Sequence, residues 1–316
     1  MKIFVTGGTG YIGSVLVKVA KDLGYDVTVL TRSEEKAQQL QNEGMQTIVG
    51  DLLVDGKWQQ FINEVDAVIH LAAPPTWGKK VTKKVAESYA VGHLEMTKRL
   101  FEAINPQNLK KVVYVGGTSY FGDAGNGVAQ NEHYRSAPKG WGPYIASSID
   151  LAKQYGEQGY PVTIVYPAQI YGPTSWMEQL YLRPLYENKP LTGLKGYDAY
   201  FSPIHIEDCS RACLHLIEHG KVGGNYILCD NQPLPASEFR QEIERLMDVQ
   251  DVKIRFFPRW LCQVALGPVL TEYATANTNF SNRNLLETGF QFKYPDYKQG
   301  LPNVVQTWLA QKLDLG

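Results

Sequence analysis

Three glycines near the start of the chain, Gly7, Gly10 and Gly13, are spaced three residues apart and could bind a phosphate group. They follow an apolar run, 3–5, that predicts a buried strand, and they precede an amphipathic run, 15–23, that predicts a helix. In this context the N–H groups of the turn and the helix N-terminus form an anion site that fits the pyrophosphate of a dinucleotide. The glycines permit a tight turn, close approach of phosphate to backbone and close packing of helix on strand. A turn that only connects strand to helix is the alternative.

The next two strands end in polar side chains that could hold the adenosine half of a dinucleotide. Strand 26–30 is not followed by the acidic residue that binds ribose hydroxyls in NAD sites. Instead Arg32, between hydroxyl residues that include Ser33, suits a 2′-phosphate, which favours NADP over NAD. Asp51, after strand 46–50, is placed to accept a hydrogen bond from an adenine amino group. A solvated Arg32 and an Asp51 that caps the next turn are the alternatives.

The elements that must position these residues alternate between strands and helices. Predicted strands are 3–5, 26–30, 46–50, 67–73, 111–117 and 162–166, and predicted helices include 34–44, 88–104 and 144–158. Such alternation with short turns predicts an α/β fold built on a Rossmann-type doubly wound parallel sheet.

A change of pattern after residue 173 predicts a second, smaller domain. We expect a dinucleotide-binding domain over 1–173, to which 203–230 returns with another βαβ pattern. The segments 174–202 and 231–316 are then expected to form a mixed α/β C-terminal substrate domain.

Composition narrows the class of protein. The 316 residues are 44% hydrophobic and 20% charged, as in ordinary globular enzymes. A net charge of −1 argues against nucleic acid or a membrane surface as the partner. No apolar run approaches the ~18 residues of a membrane span. A first strand at residue 2 or 3 leaves no room for a signal peptide, so we expect a cytoplasmic protein.

The four cysteines are Cys209, Cys213, Cys229 and Cys262. The first two could lie one helical turn apart, but no second pair of cysteines or histidines completes a zinc pattern. We therefore expect no metal site and buried thiols in a reducing compartment.

The order of the motifs resembles the extended short-chain dehydrogenase/reductase superfamily, which includes NAD-dependent epimerases and dehydratases. The matching segments are 6–13, 51–52, 70–73, 171–173 and 205–208, with a further likeness over 285–295. The resemblance implies that NADP(H) is bound by Gly7, Thr9, Gly10, Tyr11, Ile12, Gly13, Arg32, Ser33, Asp51, Leu52, Leu71, Ala72, Ala73, Tyr144, Pro167 and Ile170.

The resemblance also implies a catalytic tyrosine, for which Tyr144 stands in the matching position. In the superfamily a lysine four residues later lowers the pKa of the tyrosine and holds the nicotinamide ribose. Here that position is Ser148. The hydroxyl residue that steadies the substrate oxygen after the fifth strand maps to Gly117, which leaves Thr118 and Ser119 as candidates. The chain therefore resembles an atypical member that lacks the lysine.

The missing lysine changes which reaction direction we expect. A phenol without a nearby ammonium keeps a pKa near ~10, so it can donate a proton to a developing alkoxide but is a poor base. Carbonyl reduction therefore remains feasible, and alcohol oxidation becomes harder. Lys153 lies nine residues after the tyrosine and should point elsewhere on the helix. Candidates for a replacement cation, each of which could instead be a surface residue, are Lys79, Lys80, His93, His133 and Arg135.

The region after the sixth strand bears on the substrate. Sugar-nucleotide members carry an arginine that the stretch 197–203 lacks, so a sugar nucleotide is disfavoured. We expect an uncharged hydrophobic or aromatic carbonyl compound in an apolar pocket, with core packing as the alternative role of these side chains. The candidate lining residues are Trp176, Tyr181, Tyr186, Tyr197, Tyr200, Phe201, Phe256, Phe257 and Trp260.

Three functions fit these observations. The first is an NADP-dependent carbonyl reductase that uses the phenol of Tyr144 as its proton donor. The second is an epimerase, dehydratase or cyclase without net redox change, and the third is a non-catalytic NADP-binding sensor or scaffold. Homodimers are common in the superfamily through helices equivalent to 88–104 and 144–158, and the sequence leaves this open.

Overall fold

The computed structural model describes residues 1–76, 78, 80–174 and 176–313. Within these residues the strands are β1 (Lys2–Thr6), β2 (Asp26–Thr31), β3 (Gln46–Val49), β4 (Ala67–His70), β5 (Lys111–Val115), β6 (Val162–Pro167), β7 (Gln169–Tyr171), β8 (Leu191–Leu194), β9 (Tyr200–Phe201), β10 (Pro203–His205), β11 (Asn225–Leu228), β12 (Leu234–Pro235) and β13 (Ile254–Phe257).

The helices of the described residues flank and extend this set of strands. They are α1 (Tyr11–Asp22), α2 (Glu34–Asn42), α3 (Trp58–Phe61), α4 (Lys83–Ala103), α5 (Gly142–Glu157), α6 (Arg183–Tyr186), α7 (Ile206–His219), α8 (Ala236–Leu246), α9 (Arg259–Leu266), α10 (Pro268–Thr275), α11 (Arg283–Leu286) and α12 (Tyr297–Leu313). A 3₁₀ turn at Thr118–Phe121 and a π-helical turn at Glu178–Leu182 complete the description.

A seven-stranded parallel sheet with the order β11-β6-β5-β4-β1-β2-β3 forms the centre of the fold. Its strands are continuous apolar runs because helices bury both faces, and Ile3, Phe4 and Val5 are all fully buried. The strand order reverses between β1 and β4. Ligands bind at such a switch point, outside the carboxyl ends of the strands. The predicted α/β, Rossmann-type fold class is confirmed.

Several predicted boundaries were wrong, those of β4 and α4 among them. β4 ends at His70 rather than at residue 73, because the chain leaves the sheet after a last ladder bond from Leu71 N to Thr6 O. α4 begins at Lys83 rather than at residue 88, because Thr82 caps it by accepting a hydrogen bond from Val85 N.

The remaining strands pair two by two as β10-β7, β12-β9 and β13-β8. A separate apolar core, which includes Leu182, Phe239 and Trp308, is formed by segments that precede β11 in the sequence and segments that follow it. The division into 1–173 with 203–230 and 174–202 with 231–316 stays a prediction. No helix within the described ranges is long and apolar enough to cross a membrane.

Candidate active site

The glycine turn between β1 and α1 lies at the switch point and is packed against the chain after β4. Gly7 has φ +75°, and a β-carbon there would lie 2.7 Å from Ala72 N and from the carbonyl carbon of Leu71. A β-carbon on Gly13 would overlap the carbonyl oxygen of Gly7. Side chains larger than hydrogen therefore do not fit at either position without displacing backbone.

The N-terminus of α1 is open to a ligand. Gly10 is its N-cap and has no side chain with which to occupy the first N–H groups, and the first turn contains no acidic residue. The N–H groups and the positive end of the helix dipole therefore suit a phosphate. The turn thus fits the pyrophosphate of a dinucleotide, as the sequence predicts. Thr9, Tyr11 and Ile12 lie in this turn or at the start of the helix.

The predicted adenosine contacts meet at the ends of β2 and β3. The side chain of Arg32 is 61% exposed and approaches Asp51 at 3.8 Å. Asp51 accepts a hydrogen bond from Leu53 N, so it does cap the next turn, and Leu52 beside it is buried. The hydroxyl of Ser33 accepts from Lys36 N as the N-cap of α2. Both polar side chains therefore have structural roles, while the Arg32 guanidinium remains accessible.

Tyr144 lies in the first turn of α5, half-buried among apolar side chains from α4 and α10. This tyrosine cover consists of Val81, Val85, Ala86, Trp141, Val269 and Leu270. Burial raises the pKa of Tyr144, and the carboxylates of Glu87 and Glu272 raise it further. The phenol therefore keeps its proton at neutral pH. The sequence predicted neither glutamate. Glu87 lies on α4 and Glu272 on α10, which are 57 and 128 residues from Tyr144 along the chain, so no local pattern indicates them.

The two candidate hydroxyl residues follow β5. Thr118 begins the 3₁₀ turn and is buried, whereas Ser119 is partly exposed. A β-carbon built at Gly117 would lie 3.7 Å from Cδ1 of Ile145, the neighbour of Tyr144 in α5. The loop after β5 therefore passes beside the start of α5.

Ser148, at the position of the missing lysine, is fully buried and cannot be a free proton carrier at the surface. Its hydroxyl is 3.0 Å from Nδ1 of His93 and donates to the carbonyl of Ile145. Nε2 of His93 is 3.5 Å from the hydroxyl of Tyr114, which in turn is 3.0 Å from the hydroxyl of Thr97. The polar side chains of these residues are therefore hydrogen-bonded to one another between α4, α5 and β5.

The hypothesis that His93 replaces the lysine ammonium was wrong. Burial lowers the pKa of His93 to about 4, so the imidazole is neutral at pH 7. His70, whose Nδ1 is 2.7 Å from the Thr6 hydroxyl, is also neutral because burial lowers its pKa to about 3.

These two histidines predict acid sensitivity of the fold. Their folded pKa values lie below the unfolded value of ~6.5, so the unfolded state binds more protons as pH falls from 6.5 towards 4. Stability should drop over this window by on the order of 2 kcal/mol or more per histidine. Urea unfolding as a function of pH measures it. The change of the free energy of unfolding with pH should become smaller in His93→Asn. It should stay the same in His133→Ala, the control variant at an exposed histidine. An unaltered pH dependence in His93→Asn would contradict the assignment.

The other candidate cations lie elsewhere. Lys153 contacts Tyr120 rather than Tyr144, with Nζ 3.0 Å from the phenol oxygen. Arg135 stacks over the ring of Tyr120 at 4.9 Å and donates to the carbonyls of Glu132 and Tyr134. His133 and Lys80 are exposed, and Lys79 lies outside the described residues. Lys153, Arg135 and His93 are therefore held by other groups, and no described candidate is hydrogen-bonded to the Tyr144 hydroxyl.

The expected aromatic pocket is not formed by most of its proposed members. Trp176, Tyr181 and Phe201 pack on the core around Phe239, and Tyr186, Phe256 and Trp260 are exposed. A cavity of about 600 Å³ is instead lined by Tyr197 together with charged groups. Its charged residues are Asp123, Lys139, Asp198, Arg259 and Glu272. Glu272 accepts a hydrogen bond from Gly140 N at 3.2 Å, so this cavity lies beside the loop that leads into α5 and Tyr144.

The sequence model of the NAD dependent epimerase/dehydratase family matches residues 3–229. The chain belongs to this family. The superfamily resemblance predicted from the motifs is thereby confirmed.

One curated relative is similar to this chain in sequence, and two solved structures are similar to it in fold. A ketoreductase of 4-hydroxy-2-methyl-3-oxo-4-farnesyl-3,4-dihydroquinoline-1-oxide from Stigmatella aurantiaca is 27% identical over 259 residues, covering 80% of this chain and 74% of that protein. A dTDP-glucose 4,6-dehydratase from Bacillus anthracis in complex with NAD has a TM-score of 0.82 at 19% identity, covering 99% and 98% of the two chains. A human epimerase family protein in a structure with NADPH has a TM-score of 0.77 at 18% identity, and the match covers 97% of this chain and 99% of that chain.

Within the epimerase/dehydratase fold, the remaining predicted cofactor contacts lie at the carboxyl edge of the sheet. Leu71, Ala72 and Ala73 follow β4. Pro167 is the last residue of β6, and Ile170 lies in β7. The hydroxyl of Tyr11 is buried without a hydrogen-bond partner among the described residues. Such an orphaned donor beside the glycine turn fits a site that a ligand completes.

Proposed function

We propose that this chain is an NADP-dependent reductase that converts the carbonyl of an uncharged small molecule to an alcohol, with Tyr144 as the proton donor. The observation that carries the proposal is the environment of this phenol. Burial and two carboxylates raise its pKa, so it holds a proton that it can donate. No ammonium among the described residues is hydrogen-bonded to this phenol, which favours reduction over oxidation.

Each residue then has a limited role. The glycine turn and the α1 N-terminus hold the pyrophosphate, and Arg32 pairs with the 2′-phosphate. NADPH, when bound, supplies the hydride. The hydroxyls of Thr118 or Ser119 orient the carbonyl oxygen, and the phenol of Tyr144 gives its proton to that oxygen as the carbonyl carbon is reduced. Solvent then restores the proton to the phenolate.

The surroundings of Tyr144 support an uncharged substrate. The tyrosine cover is apolar, and the nearby carboxylates of Glu87 and Glu272 would repel an anion. The ketoreductase relative is named for reduction of a ketone on a molecule with a farnesyl chain, which agrees with an apolar carbonyl compound. The charged cavity beyond Glu272 suits a polar end of the same substrate.

The test is a screen of carbonyl compounds against loss of NADPH absorbance. A reductase oxidises NADPH in proportion to alcohol formed. A binding protein without catalysis oxidises none with any compound, and that result would remove the proposal.

A non-redox reaction is the second candidate, because the family includes epimerases and dehydratases and a solved neighbour is a sugar-nucleotide dehydratase. The charged lining of the cavity favours a polar substrate for such a reaction. Product analysis at constant NADPH absorbance distinguishes it: a changed product without net oxidation supports this candidate over the reductase.

Cofactor choice rests on Arg32. Replacing it by alanine removes the exposed guanidinium that pairs with the 2′-phosphate, so NADPH affinity should fall by about tenfold or more while NADH affinity changes little. Calorimetric titration of both nucleotides measures this. Lys36→Ala, one turn further along the same surface, is the matched control. Equal losses for NADPH and NADH, or no loss, would contradict a 2′-phosphate role for Arg32.

A further inference from the structure

Helix α5, which carries Tyr144, begins without a side chain that caps it. Its N-cap residue is Trp141, and no side chain among the described residues makes a capping hydrogen bond there. A helix start without such a cap depends on contacts with other parts of the fold. Tyr144 lies in the first turn, so the contacts that hold this helix start also determine where the phenol lies.

The loop after β5 supports one side of the helix start. A β-carbon built on Gly142, the first residue of α5, would lie 2.3 Å from the carbonyl oxygen of Ser119. Only glycine permits so close an approach of two backbone segments. The start of α5 therefore rests directly on the turn that carries the candidate hydroxyls of Thr118 and Ser119.

Helix α10 supports the other side through Glu272 and Tyr273. Oε2 of Glu272 accepts a hydrogen bond of 3.2 Å from Gly140 N, one residue before Trp141. Gly140 has φ +58°, and a β-carbon there would lie 2.9 Å from N, Cα and Cβ of Tyr273. The loop before α5 and the backbone of α10 are therefore in direct contact, and the carboxylate binds the loop at the same place.

The side chain of Tyr273 connects this contact to the carboxyl edge of the sheet. Its hydroxyl donates a hydrogen bond of 2.9 Å to Oε1 of Gln169 in β7. Burial raises the pKa of Tyr273 to about 12, so the hydroxyl is a donor at neutral pH. Gln169 is itself fixed, because its N–H donates to Ser202 O. It stands between Pro167 and Ile170, two of the predicted cofactor contacts.

We propose that Glu272 and Tyr273 are positioning residues for Tyr144, which fix the start of α5 relative to the edge of the sheet that holds the cofactor. This proposal rests on the proposed reductase function. In carbonyl reduction the proton donor and the hydride donor must reach the two atoms of one carbonyl group. A displacement of about 1 Å in such an arrangement can cost about a hundredfold in rate.

The charge of Glu272 provides a separate sign of its place beside the phenol. Burial raises the pKa of Tyr144, and the charged groups that raise it further are Glu87 of α4 and Glu272 of α10. Removing the charge of Glu272 should therefore lower the pKa of Tyr144. The neighbouring cations belong to other pairs, Lys83 with Glu87 at 3.9 Å and Lys139 with Asp123 at 2.9 Å.

The test compares Glu272→Ala, Glu272→Gln and Tyr273→Phe with two controls at exposed positions elsewhere, Glu95→Gln and Tyr186→Phe. With NADPH and a carbonyl compound from the screen, turnover at neutral pH should fall about tenfold or more in Glu272→Ala and in Tyr273→Phe. Glu272→Gln keeps an oxygen that accepts from Gly140 N, so its turnover should stay close to that of the controls. Calorimetry should give an unchanged Kd for NADPH in all five variants.

The ionisation of Tyr144 is a readout that needs neither substrate nor nucleotide. In protein labelled with tyrosine that carries ¹³C at Cζ, the NMR signal that disappears in Tyr144→Phe reports this phenol. Its titration midpoint should move to lower pH in Glu272→Gln and stay in place in Glu95→Gln. A role of Glu272 in stability alone would not move it.

Unchanged turnover in either Glu272→Ala or Tyr273→Phe would overturn the proposal, as would an equal loss in Glu272→Gln and Glu272→Ala at neutral pH. A loss of turnover matched by an equal loss of NADPH affinity would overturn it too, because the variant would then be damaged as a whole. If no carbonyl compound is reduced, the proposed function fails, and the titration decides between the remaining outcomes. An unmoved midpoint in Glu272→Gln overturns the contact of α10 with the phenol, and a lowered midpoint supports it.

Discussion

Replacing Tyr144 by phenylalanine is expected to lower turnover by tenfold at least, and by up to ~10⁴ if the phenol is the sole proton donor, with NADPH affinity nearly unchanged. The phenol is half-buried and its raised pKa keeps it protonated at neutral pH, so its proton is present for transfer to a developing alkoxide, which is the stronger base. Steady-state kinetics with a carbonyl compound from the screen measure turnover, and calorimetry measures NADPH affinity.

The control for this variant lies on the same helix. Tyr155→Phe removes a hydroxyl from a ring that stacks on Phe101, about three turns from Tyr144, and should leave turnover unchanged. Turnover of Tyr144→Phe equal to that of the unaltered protein would exclude this phenol from the mechanism. An equal loss in both variants would point to a general effect on α5.

The reaction direction follows from the same group. Since the pKa of Tyr144 is raised above the ordinary ~10, the reductive rate should hold from neutral pH into the alkaline range and decline only as the phenol ionises. Oxidation of the alcohol needs the phenolate and should be slow at neutral pH.

Replacing Gly13 by alanine is expected to abolish most nucleotide binding. A β-carbon at this position overlaps the carbonyl oxygen of Gly7, so the turn must move away from the helix. Overpacking of this kind costs about 1–3 kcal/mol, which corresponds to roughly five- to 150-fold in Kd if it falls on the bound state. Calorimetry with NADPH and thermal unfolding together show how the cost divides between binding and folding.

Gly156→Ala is the matched control, because it is the same change inside a helix at a position with room. A β-carbon there meets Val162 at 3.7 Å, an ordinary contact. Alanine should stabilise α5 slightly through its higher helix propensity and leave Kd unchanged. Normal NADPH binding by Gly13→Ala would show that the turn at Gly7–Gly13 does not cradle the pyrophosphate.

The sequence predicted the fold because the signals for a parallel sheet are local. Buried strands such as β1 are unbroken apolar runs, and the positive φ of Gly7 and the close packing of Gly13 each demand glycine where the sequence has it. The family assignment then followed from the order of short motifs. Element ends were less reliable, since the end of β4 and the cap at Thr82 depend on single hydrogen bonds.

The aromatic residues show where a pattern in the sequence fails. Trp176 and Trp260 were predicted to line one pocket, yet Trp176 packs on the core and its Nε1 donates to the carbonyl of Ile170, whereas Trp260 is exposed on α9. Composition alone does not tell a core aromatic from a surface one outside a regular sheet, because burial is decided by distant segments.

By itself the sequence determined the sheet, the glycine turn and the place of Tyr144 at the start of α5, since each depends on neighbours within a few residues. Only the tertiary structure decided that the Ser148 hydroxyl is hydrogen-bonded to a neutral His93 and that the Lys153 ammonium donates to the Tyr120 hydroxyl. It also decided that the charge of Glu272, 128 residues further along the chain, acts on Tyr144 and raises its pKa. These pairs of residues are 33 to 128 positions apart, and their proximity and burial exist only once the chain has folded.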